Sequence, residues 1–179
     1  MQFFLAKALY KTYNEHNRFA QYEPSMAPFY PLTGGMHIGS DYKVPVGTPI
    51  YAPAKGKMFT PIMSGPKGNV GIYSFNDPSG KNYGIEFCHL RFPVKAGNYN
   101  EGDIIGYTGA TGTACVGPHL HTVQHLNTLV TANLNEISAA NYNTNGSLAE
   151  RQTAARNKVL QMLDAGKLVD TYKYFAPYI

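Results

Sequence analysis

The stretch Gly117-Pro118-His119-Leu120-His121 decides how the rest of the chain is read. Two histidines flank one leucine and follow a glycine-rich run. On an extended strand, residues i and i+2 point to the same face. His119 and His121 can therefore look into one site while Leu120 packs behind it. A metal site is one reading. A strand with two incidental surface histidines is the other, and spacing alone does not separate them.

Composition bounds the choice. The 179 residues give room for one sizeable domain with some decoration, and a 44% hydrophobic content allows a real core. With 18 glycines, 12 prolines, 14 tyrosines and sparse charge, the chain reads as turn-rich and mostly β. A net charge of +4 is too weak to argue for nucleic acid, though it suits a polyanionic surface such as a bacterial wall. The two cysteines, Cys88 and Cys115, can pair, stay free or bind metal. No apolar run is long enough to span a membrane. Residues 1–10 lack the charged start, long apolar centre and cleavage site of an export signal.

Upstream of the histidine pair, Gly97, Gly102, Gly106, Gly109 and Gly112 punctuate short strands and turns. Asn69–Phe75 and Tyr83–Leu90 read as two strands joined around Asp77-Pro78-Ser79-Gly80. His89 ends the second, and simple alternation puts Cys88 on the opposite face, in the core. Val46–Pro53 and Gly56–Phe59 read as shorter strands. Further back, His37 and Asp41 are four apart among Gly34, Gly35, Gly39 and Pro45, which argue against helix. On an extended segment that spacing again shares one face. An imidazole and a carboxylate together suit zinc; a loop with a polar pair is the plainer alternative. Downstream, Thr122–Leu126 continues the strand, and His125 reads as a structural histidine.

The ends read differently. Phe4, Leu5, Ala8, Leu9 and Tyr13 recur at helical spacing, so residues 1–23 are expected as a helix with His16 on the surface. Pro24, Pro28 and Pro31 then mark an irregular segment. Asn127–Gly146 reads as an Asn- and Thr-rich loop. Ser147–Ala165 reads as a helix with a capping box from Ser147 and Glu150 and a stop at Gly166. The aromatic tail (Tyr172, Tyr174, Phe175, Tyr178) is expected to dock on the body or meet another chain. The division is a helical extension over 1–32, a β domain over 33–126, and a loop with a C-terminal helix over 127–179 packing on that domain.

Four of the six histidines thus fall in three motifs: His37 with Asp41, then His89, then His119 with His121. This order and spacing resemble the lysostaphin-type zinc endopeptidases, also known by the LytM domain. The resemblance covers about residues 33–126 and rests on HIGSD, VPVGTPIYAPAKGKM, CHL and EGDIIGYTGATGTACVGPHLH. It implies a mainly β fold: an antiparallel sheet core with short strands and Gly-rich loops, flanked here by helical extensions. It implies a catalytic zinc (Zn2+) with His37, Asp41 and His121 as ligands, and His89 and His119 as the two catalytic histidines beside the metal. The substrates it implies are peptide bonds of peptidoglycan, in stem peptides or cross-bridges.

Three protein ligands leave a fourth position open, the mark of a catalytic zinc. No HExxH motif supplies a glutamate base. One of His89 and His119 is therefore expected to accept a proton from the attacking water while the other stabilises the oxyanion. The loops Pro61–Val70 and Gly97–Glu101 and the segment Gly109–Gly117 are the expected groove walls. Two departures bear on specificity: Lys55 precedes Gly56 where relatives often carry an acid, and Thr122-Val123 replaces a common Phe-Glu. A phage-encoded hydrolase, released by lysis or carried in a virion tail through the terminal segments, would need no export signal; nor would a fragment of a longer protein. The rivals are a cysteine peptidase using Cys88 or Cys115 and an inert wall-binding or virion structural module that keeps zinc as a staple. Oligomeric state is not legible.

Overall fold

Apolar–polar alternation sets the strands, and glycines and prolines set their ends. A computed structural model describes residues 1–22, 24–26, 30–59, 61–127 and 130–179. Pro28, one of the three prolines of the irregular segment, lies outside the described residues. In chain order the strands are β1 Ser40–Tyr42, β2 Pro49–Tyr51, β3 Gly56–Met58, β4 Ile62–Ser64, β5 Gly68–Asn76, β6 Asn82–Leu90, β7 Gly97–Tyr99, β8 Ile104–Tyr107, β9 Leu120–Leu126 and β10 Leu168–Val169. The α-helices are α1 Val130–Tyr142, α2 Leu148–Asp164 and α3 Thr171–Phe175.

The main sheet is antiparallel in the order β1-β9-β6-β5-β3-β7, with β10 also on β9 and β4 also on β5. β2 and β8 form a separate pair. Register aligns Asp41 with His121 and His121 with Cys88. Residues directly opposite in a ladder share a face. The two faces therefore have different fates. One presents Tyr42, Leu120, Phe87 and Ile85, buried under Phe3, Phe4, Leu5 and Phe175. Fully burying each such side chain contributes roughly 1.5–3 kcal/mol. The other presents Asp41, His121 and Val123. Val123 packs beneath α1 and α2 with Met36, Ile38, Ile137, Ala155, Val159, Met162 and Leu168.

The expected helix over 1–23 is not an α-helix. Its described part holds one 3-10 helix, Lys7–Thr12, and the preceding residues run beside β2 with the Tyr51 N–H donating to the Phe4 carbonyl. Phe3, Phe4 and Leu5 are all buried, so consecutive apolar residues face the core where one stripe of a surface helix would bury only some of them. The expected loop over 127–146 is mostly α1. Its Asn and Thr residues are weak helix formers, and packing against α2 overrides them. α2 matches its expected span, with the Ser147–Glu150 capping box formed and Gly166 at φ +65 just beyond it. The aromatic tail docks on its own chain: Phe175 meets Phe4 at 5.3 Å, and the Tyr172 ring stacks between Tyr10 and Tyr13 at 4.3 and 4.1 Å.

Candidate metal centre

The first cluster is assembled by register and by one turn. β1 and β9 bring Asp41 opposite His121. His37 precedes β1, and its backbone is tied to the N-terminal segment: its N–H donates to the Gln21 carbonyl and its carbonyl accepts from the Ala20 N–H. Its Nδ1 lies 3.3 Å from the Arg18 carbonyl. A carbonyl only accepts, so Nδ1 carries the proton and Nε2 keeps its lone pair.

That lone pair points into a crowd. His37 Nε2 is 3.1 Å from His121 Nδ1 and 3.4 Å from Asp41 Oδ1, and His121 Nδ1 is 2.8 Å from Asp41 Oδ1. Among neutral imidazoles and a carboxylate, at most one proton, on His121 Nδ1, lies between these three atoms. Donors about 2.0–2.2 Å from a tetrahedral zinc stand about 3.3 Å from each other. The cluster has that spacing, and its residues are only 1%, 5% and 8% exposed. Gly39 is part of the fit: a Cβ there would lie 2.4 Å from His121 Cε1 and 2.6 Å from the Thr122 carbonyl oxygen. Burial by itself would raise the Asp41 pKa, but the adjoining His37 and His121 imidazoles hold it well below the usual range. Burial lowers the His121 pKa against the opposing pull of Asp41.

Asn17 was not singled out by any sequence pattern. Its Nδ2 donates to Asp41 Oδ2 at 2.8 Å and to the Tyr30 hydroxyl at 3.3 Å. It thereby fixes the carboxylate through the oxygen that faces away from the histidines. Such partners orient ligating groups.

The second group is His89 with His119. His89 has φ +59, a left-handed backbone that is costly for a side-chain-bearing residue. This breaks strand alternation. Cys88 is fully buried as expected, but it lies across from His121 on the site's face, with its Sγ donating to Glu86 Oε1. His89 still reaches the site, its ring 4.6 Å from that of His119 and 6.1 Å from that of His121. Its Nδ1 donates to the Thr111 carbonyl at 2.8 Å, which leaves the Nε2 lone pair free. Burial pushes the His89 pKa down to about 4, so the ring is neutral at pH 7. His119 is partly exposed, with Nε2 4.0 Å from Asp41 Oδ1 and Nδ1 3.0 Å from the Gly117 carbonyl.

All five residues singled out in the sequence therefore converge. His16 is exposed. His125 is fully buried. Of the expected groove walls, Pro61–Val70 and Gly109–Gly117 are pinned to each other, with the Thr113 and Ala114 N–H groups donating to the Gly65 and Pro66 carbonyls. Gly97–Glu101 is not beside the histidines. β7 lies three strand steps from β6, about 14 Å at the usual strand spacing, and Glu101 pairs with the N-terminal ammonium.

The profile of Peptidase family M23 matches residues 35–132. The chain belongs to peptidase family M23. Lysostaphin of Staphylococcus simulans is 36% identical over 104 residues, covering 55% of this chain and 20% of that protein. The DD-carboxypeptidase/endopeptidase Mpg of Neisseria meningitidis is 35% identical over 98 residues, covering 53% of this chain and 21% of that protein. This M23 chain thus spans about a fifth of the length of these relatives. The crystallized catalytic domain of lysostaphin from Staphylococcus simulans superposes with a TM-score of 0.53 at 27% identity, covering 69% of this chain and 87% of that one. The M23 match begins at residue 35, so Asn17, the Arg18 carbonyl and Tyr30 support the cluster from outside it.

The donor set of this M23 chain, two imidazoles and a carboxylate, suits zinc. The cysteine-peptidase rival fails on physical grounds. Burial raises the pKa of both thiols, Cys88 strongly, whereas a nucleophilic cysteine needs a lowered one.

Proposed function

We propose that this protein is a zinc metalloendopeptidase that hydrolyses peptide bonds in bacterial peptidoglycan. His37 Nε2, Asp41 Oδ1 and His121 Nδ1 hold the zinc, and His89 and His119 move protons beside it. The carrying observation is the close, buried donor triad with two further imidazoles beside it. When bound there, zinc lowers the pKa of a water to about 7 and polarises a carbonyl. The chain's own residues do the rest. Asn17 and the Arg18 carbonyl fix Asp41 and His37 in orientation. His89 is kept neutral, with Nε2 unprotonated, and accepts a proton from the attacking water. His119, at the more exposed edge, donates toward the developing oxyanion from Nε2, its proton sitting there in place of Nδ1, where the Gly117 carbonyl otherwise holds it. The walls Pro61–Val70 and Gly109–Gly117 flank an extended peptide.

Support for the substrate comes from relatives named as a DD-carboxypeptidase/endopeptidase and a glycyl-glycine endopeptidase. The test is metal analysis of the purified protein, then digestion of isolated walls with mass analysis of the fragments. The expected result is about one zinc per chain, new peptide termini, loss of cleavage on chelation and its return with zinc. Intact zinc with no cleaved peptide would favour an inert wall-binding module. The proposed setting is a bacteriophage that delivers the enzyme by lysis or on its virion. It predicts that protein added from outside clears intact susceptible cells, and failure on cells with success on isolated walls would reject it.

A further inference from the structure

We propose that His89, Cys115 and His119 form a second, soft-metal site, and that filling it switches the enzyme off by occupying the proton-accepting nitrogen of His89. The inhibitory part rests on the function proposed above; the site itself does not.

One donor atom from each of His89, Cys115 and His119 lies within 4.8 Å of the other two. Cys115 Sγ is 3.6 Å from His119 Nδ1. Both atoms face the Gly117 carbonyl, at 3.1 and 3.0 Å. That carbonyl accepts from the thiol S–H and the imidazole N–H, the two protons a metal would replace. His89 needs no rearrangement, because Thr111 already holds its proton on Nδ1 and leaves Nε2 bare. The loop carrying Cys115 is anchored through Thr113 and Ala114, so the sulfur is held near the histidines. Cys115 and His119 are both partly exposed, which gives an ion a way in.

A thiolate with two imidazoles is a soft donor set that favours zinc, cadmium or cuprous copper. Its measured edge, 3.6 Å between Cys115 Sγ and His119 Nδ1, suits a sulfur and a nitrogen on one tetrahedral ion. Two of its three donors are partly exposed and lie outside the strand register that fixes the first cluster, so this site fills second. The proton balance is simple. The thiol proton goes to solvent. The His119 ring stays neutral, its proton moving from Nδ1 to Nε2, the nitrogen 4.0 Å from Asp41 Oδ1. The His89 Nε2 lone pair is taken by the ion. The proton acceptor of the reaction is then unavailable, while His119 is pinned to the second ion.

The test uses protein already loaded with one equivalent of zinc, confirmed by metal analysis, and titrates it with cobalt(II). The first cluster has no sulfur, so a near-ultraviolet thiolate-to-cobalt charge-transfer band reports on a cysteine alone. We expect the band to grow to one equivalent in the wild type, to be absent in Cys115→Ser and to persist in Cys88→Ser. Wall hydrolysis should fall about a hundredfold as the band saturates, the scale of a lost general base. Cys115→Ser should hold its own starting rate through the same additions. No band, a band surviving in Cys115→Ser, or a band lost in Cys88→Ser would overturn the second site. Failure to retain the first zinc appears in the metal analysis beforehand and counts against the metallopeptidase reading instead.

Discussion

The two histidine groups of this protein are built by opposite means. His37, Asp41 and His121 are almost fully buried, set by strand register and braced by residues from the N-terminal segment. His89 and His119 stand at element ends. One is on a left-handed backbone and the other just precedes β9, and each is oriented by a single backbone carbonyl. A resident ion needs donors that do not move, whereas groups that pass protons need room for substrate and a choice of nitrogen. The difference separates holding a metal from using it, and variants can test that separation.

The largest effect is expected at the triad. Asp41→Ala or His121→Ala should abolish both zinc retention and hydrolysis, read by metal analysis and wall digestion on the same samples. Retained zinc in either would break the distinction. Next, His89→Ala and His119→Ala should keep the zinc and lose about 10²–10⁴-fold in turnover. Their pH–rate profiles should separate the two roles, and unchanged turnover in both would remove them from the reaction. Third, Asn17→Ala should weaken zinc affinity about 10–100-fold while leaving the fold intact, measured by chelator competition. An unchanged affinity would mean that Asp41 needs no brace.

The smallest effect is on stability, and it concerns a histidine outside both groups. Burial pushes His125 down to about 4, below the ~6.5 of an unfolded chain. A depressed histidine is neutral when folded, so the unfolded chain binds the proton first. Its contribution is complete above about pH 6.5 and is lost as pH falls from there toward 4, about 3 kcal/mol in all. Denaturant melts across that window should show the decline, and His125→Gln should reduce it while leaving the share of His89, which burial also holds at about 4.

Much of the site was legible because its residues come in short motifs. HIGSD and GPHLH each place two polar groups on one face of an extended chain. α2 was legible because its cap and stop are local. Other features were not. The left-handed turn at His89 cannot be read from alternation, which is the rule it breaks, and so the facing of Cys88 was misread. α1 forms where propensity is poor because α2 lies against it. Phe4, Leu5, Ala8 and Leu9 mimic one stripe of a helix, yet Phe3, Phe4 and Leu5 are all buried in an irregular segment.

By itself the sequence determined which side chains could serve as donors and the β character of the stretch that carries them, since both follow from residue type and short-range periodicity. Only the tertiary structure decided that 37, 41 and 121 meet within 3.4 Å, that Asn17 braces Asp41, and that Cys115 stands beside His119. Those facts depend on register between distant strands and on where the N-terminal segment and the Gly109–Gly117 loop pack. Both are set by the packing of the whole chain, and no local pattern encodes them.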